Sequence, residues 1–209
     1  MSDKDIIFIE ETHTYLLNGK PIPSVTDILA PLHRSYGKIN QSVLDQAARR
    51  GTAVHEALEM IDYGADFEVF PETAPYIMAY QDWVEVYRPT WTGIEEIVFS
   101  EEGWYAGTLD RIGYFNGGDK LNIVDIKTSQ PTKEALVSVC AQTYAYARAY
   151  DNSVPIERWG LFLKSDGTWR FQNCAEYAEK HGFYSWDVWR MLLRTHNMIN
   201  DLLATRGKK

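Results

Sequence analysis

Trp104-Tyr-Ala-Gly-Thr-Leu-Asp110-Arg-Ile-Gly-Tyr-Phe-Asn116-Gly-Gly-Asp119-Lys-Leu-Asn-Ile-Val-Asp125-Ile-Lys127-Thr-Ser129 is the stretch that decides the fold. Two runs rich in aromatic and β-branched residues flank Asn116 to Asp119, and the glycines there can take the positive φ angles of a tight turn. The stretch reads as a β-hairpin. A two-residue turn at Gly117 and Gly118, or a longer loop closed by Phe115 and Lys120, gives the same register, with Asp110 facing Asp125. Directly opposed residues have Cβ atoms about 4.5 to 5.5 Å apart, so two carboxylates are pressed together on one face. Lys127 shares that face, because residues two apart on a strand point the same way. Like charges this close repel unless something positive lies between them, and a divalent cation is the usual answer. The hairpin therefore reads as half of a metal site. The alternative is a pair of solvated carboxylates with Lys127 as a neutralising neighbour. Against it, Leu121-Asn-Ile-Val-Asp-Ile-Lys127 is apolar enough for a central strand, where a carboxylate needs a partner or a metal.

Working outward, 209 residues suffice for one sizeable core, and a single domain over 1–209 is expected. The chain is 45% hydrophobic and 24% charged, an ordinary globular balance, with no low-complexity tract. Met1-Ser-Asp-Lys-Asp5 lacks a basic region followed by an apolar run, and no segment approaches the roughly 18 apolar residues of a membrane span. A soluble protein of the cytoplasm is expected, in a bacterial or phage-infected cell, without membrane association. Cys140 and Cys174 are too few for a four-cysteine cluster and are not spaced as Cys-x-x-Cys, which predicts reduced, packed thiols and excludes an iron–sulfur cluster. The net charge of −8 argues against wrapping long duplex through phosphate contacts alone. It leaves room for an enzyme that holds nucleic acid locally, since a bound metal inverts the local charge.

In chain order, Ile6–Ile9 and Thr14–Leu17 read as short strands of a small N-terminal sheet, closed by Asn18-Gly19. Ser24, with Asp27 three residues on, caps a short helix through Val25, Ile28 and Leu29 that ends near Pro31. His33, Arg34, Tyr36 and Lys38 form a polar loop, either plain surface or a phosphate contact. Apolar residues from Val43 to Ile61 recur at a helical period, giving a long helix over about Gln41 to Tyr63. Gly51 inside it marks close approach of another element, and His55 lies one turn further on. His55 is either a satisfied core histidine or a ligand, and Arg49 and Arg50 are either solvated or a phosphate contact. A third helix runs from about Ala74 to Tyr87, its aromatics in the core. Ile94–Ser100 is a strand that pairs with the one carrying Asp110, and Glu96 either looks into the site or faces water. Thr132 caps a fourth helix ending near Tyr150. Gln142 and Tyr146, four apart, share one face of it, with Val139 one turn before. Strands over Ile156–Leu163 and Trp169–Gln172 hinge at Asp166-Gly167. One last helix, from about Cys174 to Ala204, carries Trp186, Trp189, Leu192 and Leu193, an architectural element or a subunit contact.

Read in order, Gly51-Thr-Ala-Val-His55, Gly107-Thr-Leu-Asp110, Asp125-Ile-Lys127 and Gln142-Thr-Tyr-Ala-Tyr146 resemble the motif series of the PD-(D/E)XK nuclease superfamily, in its RecB-like and phage exonuclease branch. The match spans about Gly51 to Tyr150, on helix, strand, strand and helix. The resemblance implies an α/β fold with a restriction-endonuclease-like core, a central mixed β-sheet flanked by helices, preceded here by an N-terminal β-hairpin. It implies that His55, Asp110 and Asp125 ligate a metal, with the Ile126 carbonyl as a further ligand. Lys127 would position or activate the attacking water, and Gln142 and Tyr146 would hold the substrate backbone. Related iron–sulfur nucleases carry four cysteines, and this chain has two.

Hydrolysing a phosphodiester needs a nucleophilic water and neutralisation of developing negative charge, which Mg²⁺ or Mn²⁺ held by carboxylates supplies. Oxygen ligands favour Mg²⁺, while a His55 nitrogen makes Mn²⁺ equally suitable. The expected activity is metal-dependent hydrolysis of DNA, as an exonuclease processing ends in recombination, repair or phage replication. A structure-specific or restriction-like endonuclease is the nearest alternative. A catalytically inactive nucleic-acid-binding or partner-binding subunit of a recombination complex is the alternative from another class. Expected partners are DNA ends, single- or double-stranded, with a recombination protein or a second copy of the chain.

Overall fold

The computed structural model describes residues 5–32, 40–151 and 153–206, with side chains as far as residue 203. The polar loop residues His33, Arg34, Tyr36 and Lys38 lie outside the described residues. The chain opens with three short antiparallel strands, β1 (Ile6–Ile9), β2 (Thr14–Leu17) and β3 (Lys20–Ile22), in the order β1-β2-β3. Sequence patterning indicated two. The third forms because Pro21 pairs with Leu16 on an edge strand, where a missing N–H costs no ladder bond. Helix α1 (Val25–Leu29) follows, with both halves of a capping box made: Ser24 Oγ accepts from Asp27 N–H at 2.9 Å and Asp27 Oδ2 accepts from Ser24 N–H at 3.3 Å.

Two helices then precede the main sheet, α2 (Gln41–Asp62), capped by Asn40, and α3 (Ala74–Tyr87). The sheet contains β4 (Pro89–Ser100), β5 (Tyr105–Phe115), β6 (Leu121–Lys127), β7 (Ile156–Leu163) and β8 (Trp169–Asn173), in the order β4-β5-β6-β7-β8. It is mixed: β6 and β7 run parallel and the other pairs antiparallel. The parallel step needs a crossover, which α4 (Lys133–Tyr150) provides from its Thr132 cap. Helices cover both faces. Val54 and Leu58 of α2 and Tyr76, Tyr80 and Trp83 of α3 pack on Val124, Ile126 and Leu161, whereas Ala141, Ala145 and Tyr146 of α4 pack on Leu109, Ile112 and Ile123. Ile123 and Val124 thus lie in different layers, as the two-residue period of a strand requires.

The hairpin is present in the expected register. Arg111 pairs with Val124, Ile112 with Ile123 and Gly113 with Asn122, so the next step toward the open end sets Asp110 opposite Asp125. The turn uses positive φ at Asn116 (50°) and Gly117 (68°), and Gly118 N–H donates to the Phe115 carbonyl at 2.8 Å. β6 is the central strand and Asp125 on it is fully buried, which removes the reading of solvated carboxylates.

The expected last helix is two helices, α5 (Cys174–Lys180) and α6 (Ser185–Arg206). Gly182 in the left-handed region (φ 71°) stops α5, and Phe183 N–H reaches back to the Ala178 carbonyl at 3.0 Å, the wrapping bond of a Schellman cap. Trp189 and Leu192 of α6 are buried on the α4 layer, while Trp186 faces outward. Cys140 and Cys174 are buried, unpaired thiols, with Cys140 Sγ donating to the Cys174 carbonyl at 3.6 Å. Among the described residues no helix is long and apolar enough to cross a membrane.

Candidate metal centre

Four elements bring charged side chains to the open end of the hairpin: α2 carries His55, β4 Glu95, β5 Asp110, and β6 both Asp125 and Lys127. α2 lies along the sheet so that His55 Nε2 meets the Ile126 carbonyl at 3.1 Å. With the proton on Nε2 donated to that carbonyl, the Nδ1 lone pair points at Glu95 Oε1 (3.7 Å) and Asp110 Oδ1 (4.0 Å). A backbone acceptor on one ring nitrogen that aims the other is the usual support of a metal-binding histidine. One ligand atom from each of His55, Glu95 and Asp110 lies within 4.8 Å of the other two. The other Asp110 oxygen, Oδ2, accepts from Ile126 N–H at 2.6 Å, which locks the carboxylate across the β5–β6 ladder.

Glu95 is the residue that patterning missed. Strand alternation alone points to Glu96 as the residue of β4 that either looks into the site or faces water. A register shift between Trp91 and Gly93 changes the parity of β4, and Glu95 itself sits at φ 48°, a left-handed conformation uncommon for glutamate. Ile94 pairs with Arg111 and Glu96 with Leu109, so Glu95 falls opposite Asp110. Glu96 points elsewhere, and burial raises its pKa.

Asp125 stands apart from the trio. Lys127 Nζ approaches its Oδ2 at 2.7 Å, and apart from that contact neither Asp125 oxygen has a hydrogen-bond partner among the described residues. Burial lifts the Asp125 pKa to about 6 against the pull of Lys127. Burial works against the Lys127 ammonium too, but Asp125 and Asp110 outweigh it and hold its pKa above the ordinary value. Lys127 is therefore a fixed cation rather than a base. Burial likewise disfavours a charged His55, yet Asp110 and Glu95 together pull its pKa upward. The pocket demands positive charge, and its buried, under-partnered Asp125 carboxylate fits a site built for a hard divalent cation.

Gln142 and Tyr146 are brought together as expected: Gln142 Nε2 donates to Tyr146 Oη at 2.9 Å. Both line a cavity of about 180 Å³ with Asp110. Gly107 makes room for Tyr146, since a Cβ there would sit 2.7 Å from Tyr146 Cε1 and 3.0 Å from Val25 Cγ2. Gly51 has a milder role: a Cβ on it would meet Thr128 Oγ1 at an ordinary 3.6 Å. The Ile126 carbonyl, expected as a ligand, is engaged by His55. Arg50 lies over the Tyr76 ring, 5.4 Å from its centroid.

Behind the trio is a second charged group that patterning did not single out. Arg111, fully buried, donates from Nε to Asp62 Oδ2 at 2.6 Å and from Nη1 to Glu95 Oε1 at 2.9 Å and the Asp110 carbonyl at 2.7 Å. Tyr80 Oη donates to both Asp62 oxygens, at 2.9 and 2.8 Å. This bracket holds Glu95 from behind. Asp62 follows His55 by two helical turns on one face of α2, the one trace of it in the sequence. No protein-family model matches the chain, and no curated protein matches its sequence significantly.

Proposed function

We propose that the protein is a metal-dependent nuclease of the PD-(D/E)XK type, hydrolysing phosphodiester bonds of DNA at its ends. The observation that carries this reading is the open end of the hairpin: His55, Glu95 and Asp110 with ligand atoms within 4.8 Å of one another, and the Lys127 ammonium 2.7 Å from a buried Asp125. The sheet order, with an antiparallel hairpin followed by a helical crossover to a parallel neighbour, is consistent with a restriction-endonuclease-like core.

A divalent cation, Mg²⁺ or Mn²⁺, supplies a water of lowered pKa and neutralises charge on the phosphate. His55, Glu95 and Asp110 would hold it, with Asp125 as a further carboxylate beside them. The protein's own side chains do the rest. Lys127, charged and held by Asp125, orients an attacking water and offsets the negative charge that grows on the phosphate oxygens. Gln142 and Tyr146 face the adjoining cavity and hold the strand by its phosphate or sugar. A net charge of −8 gives little attraction for long duplex, which favours a substrate held at a terminus by a few contacts. The cell role would be recombination, repair or phage replication, with a partner protein or second subunit supplying processivity.

The test is incubation of the purified chain with end-labelled linear DNA and covalently closed circles, single- and double-stranded, under Mg²⁺, Mn²⁺ or EDTA. Metal-dependent release of nucleotides from linear DNA, with circles resistant, is expected. Circles cut as fast as linear DNA would indicate an endonuclease at the same centre. A folded protein that cuts nothing under either metal would refute the reading.

A further inference from the structure

The proposed nuclease centre leaves the N-terminal sheet without a role, yet that sheet forms one wall of it. Tyr15, Leu17 and Ile22 pack against Ala106 of β5, Ala106 N–H donates to the Pro23 carbonyl at 3.0 Å, and Tyr15 Oη bonds Thr108 Oγ1 at 2.7 Å. The sheet is thus fastened to the strand that carries Asp110. The 3₁₀ turn Glu10–Thr12 that joins β1 to β2 brings Glu10, and His13 just after it, to the lining of the cavity beside the site. A cavity of about 690 Å³ contains His55 and Lys127 on one side and Phe8 and His13 on the other. The smaller cavity with Gln142 and Tyr146 also has His13 on its wall, and both cavities share Glu95 and Thr108. The two cavities therefore adjoin at His13, Glu95 and Thr108, beside the His55, Glu95 and Asp110 trio.

What the wall presents is unusual for a site otherwise made of charges. Phe8 is only half buried and His13 is exposed, its backbone left-handed at φ 50°. Their ring centroids are 5.1 Å apart, edge to face, and Phe8 in turn lies 4.7 Å from the Tyr15 ring. An aromatic platform braced from behind, left open toward a phosphate-cleaving centre, suits a flat apolar group covalently tied to a phosphate: a nucleobase. Stacking on an aromatic face needs a base whose own faces are free, which pairing inside a duplex does not offer. Glu10, Glu56 and Glu59 line the larger cavity too, so it offers phosphates little charge attraction and leaves binding to the aromatic wall and the metal centre.

We propose that the β1–β2 turn is a base-stacking wall, with Phe8 and His13 as substrate contacts, and that it makes the cleft a reader of unpaired strands: single-stranded DNA, or the unpaired end of a duplex. This rests on the nuclease reading above and adds the substrate class to it.

Binding separates the two proposals. Anisotropy of a labelled single strand and of a blunt duplex of the same sequence is measured with Ca²⁺, label integrity being checked after each titration. Wild type should hold the single strand at least about tenfold tighter. Phe8→Leu and His13→Ala should each weaken it roughly tenfold, the scale of one lost base stack, while Phe8→Trp retains it. A strand abasic at its terminal nucleotides supplies the control that mere damage to the turn would not pass: neither substitution should cost affinity for it. His13 is exposed, so His13→Ala reads the wall even where Phe8→Leu melts early. A wild type that prefers or equally accepts duplex, and cuts it, overturns the wall and keeps the nuclease. Variants that bind the intact strand as wild type does, or lose the abasic strand equally, also overturn the wall. A wild type that binds neither form overturns both proposals.

Discussion

Two charged groups are buried side by side, one carried by Asp110 and the other by Arg111, and they are satisfied to different degrees. Arg111 has Asp62, Glu95 and a backbone carbonyl, and Asp62 is further bonded by Tyr80; only the Arg111 Nη2 among these guanidinium nitrogens lacks a partner. Asp125, equally buried, has one cation against one oxygen and no further partner among the described residues. Folding alone explains the Arg111 group, since a buried arginine persists only when paired. It does not explain the Asp110 group, where two carboxylates oppose each other across a ladder and a hydrophobic pair would cost less. The contrast separates charge that holds the fold from charge kept for chemistry, and each can be tested by removing it.

The largest effect is expected in the satisfied group. Arg111→Ala leaves Asp62 buried without its cation and should cost about 3–5 kcal/mol of stability, read as a lowered denaturation midpoint in urea. Loss of under about 1 kcal/mol would show that the bracket is not structural. Glu95 would also lose its support, so metal affinity should fall with it.

In the other group the loss should appear in rate. Lys127→Ala and Asp110→Asn should each slow cleavage by roughly 10²–10³-fold, the usual scale for a group that stabilises transition-state charge. The melting temperature of Asp110→Asn should stay close to wild type, whereas Lys127→Ala, which takes the cation from buried Asp125, should melt lower at pH 7 and recover toward pH 5 as that carboxyl takes up a proton. Near wild-type turnover in a folded variant of either would remove these residues from the site.

Asp125 should show the contrast in stability as well as rate. Its folded pKa of about 6 exceeds the ordinary 3.8, so the metal-free folded state binds a proton more tightly than the unfolded state. The contribution of this group is therefore most favourable below pH 3.8 and falls as pH rises through about 6. Asp125→Asn removes the penalty and should make the metal-free protein more stable than wild type at pH 7, by on the order of 1–3 kcal/mol. The gap should close toward pH 4 and narrow when Mg²⁺ is added to wild type, while cleavage is lost. A variant less stable than wild type at pH 7 would mean that the Lys127 pair carries more structure than chemistry.

Legibility in the sequence followed how local each determinant is. The Asn116-Gly117 turn sets the hairpin register, and with it the Asp110–Asp125 pairing, within a few residues. Gln142 and Tyr146 meet because one helical turn separates them. Glu95 was hidden because a bulge upstream at Trp91–Gly93 shifts strand parity, and no alternation pattern reveals where a strand gains a residue. Arg111 next to Asp110 carries no mark of which face is dry, and its partner Asp62 comes from a helix 49 residues earlier. Gly182 and Ser185 carry the signal of a break between α5 and α6, masked by the apolar period of the flanks. The placement of Phe8 and His13 beside the centre depends on how one sheet docks on another, which is tertiary information.

The smallest effect belongs to His55, the residue placed between the two groups in character. As a core histidine it would act like the Arg111 bracket: half buried, bonded to the Ile126 carbonyl, and felt mainly in stability. As a ligand it would act like Asp110. Its geometry has both aspects, since Nε2 is occupied by the backbone and Nδ1 is left facing two carboxylates. His55→Ala removes one nitrogen from a cation that retains Glu95 and Asp110, so binding should weaken by about tenfold rather than disappear, near 1.4 kcal/mol. The rate at saturating Mn²⁺ should largely recover, because Lys127 and the carboxylates are untouched. Titrating Mn²⁺ against rate in wild type and His55→Ala, with thermal melts alongside, distinguishes the two roles. A rightward shift of the metal curve with a melt changed by a few degrees identifies the ligand. An unchanged half-saturating metal with a large drop in melting temperature would assign His55 to the fold and leave Glu95, Asp110 and Asp125 to hold the ion.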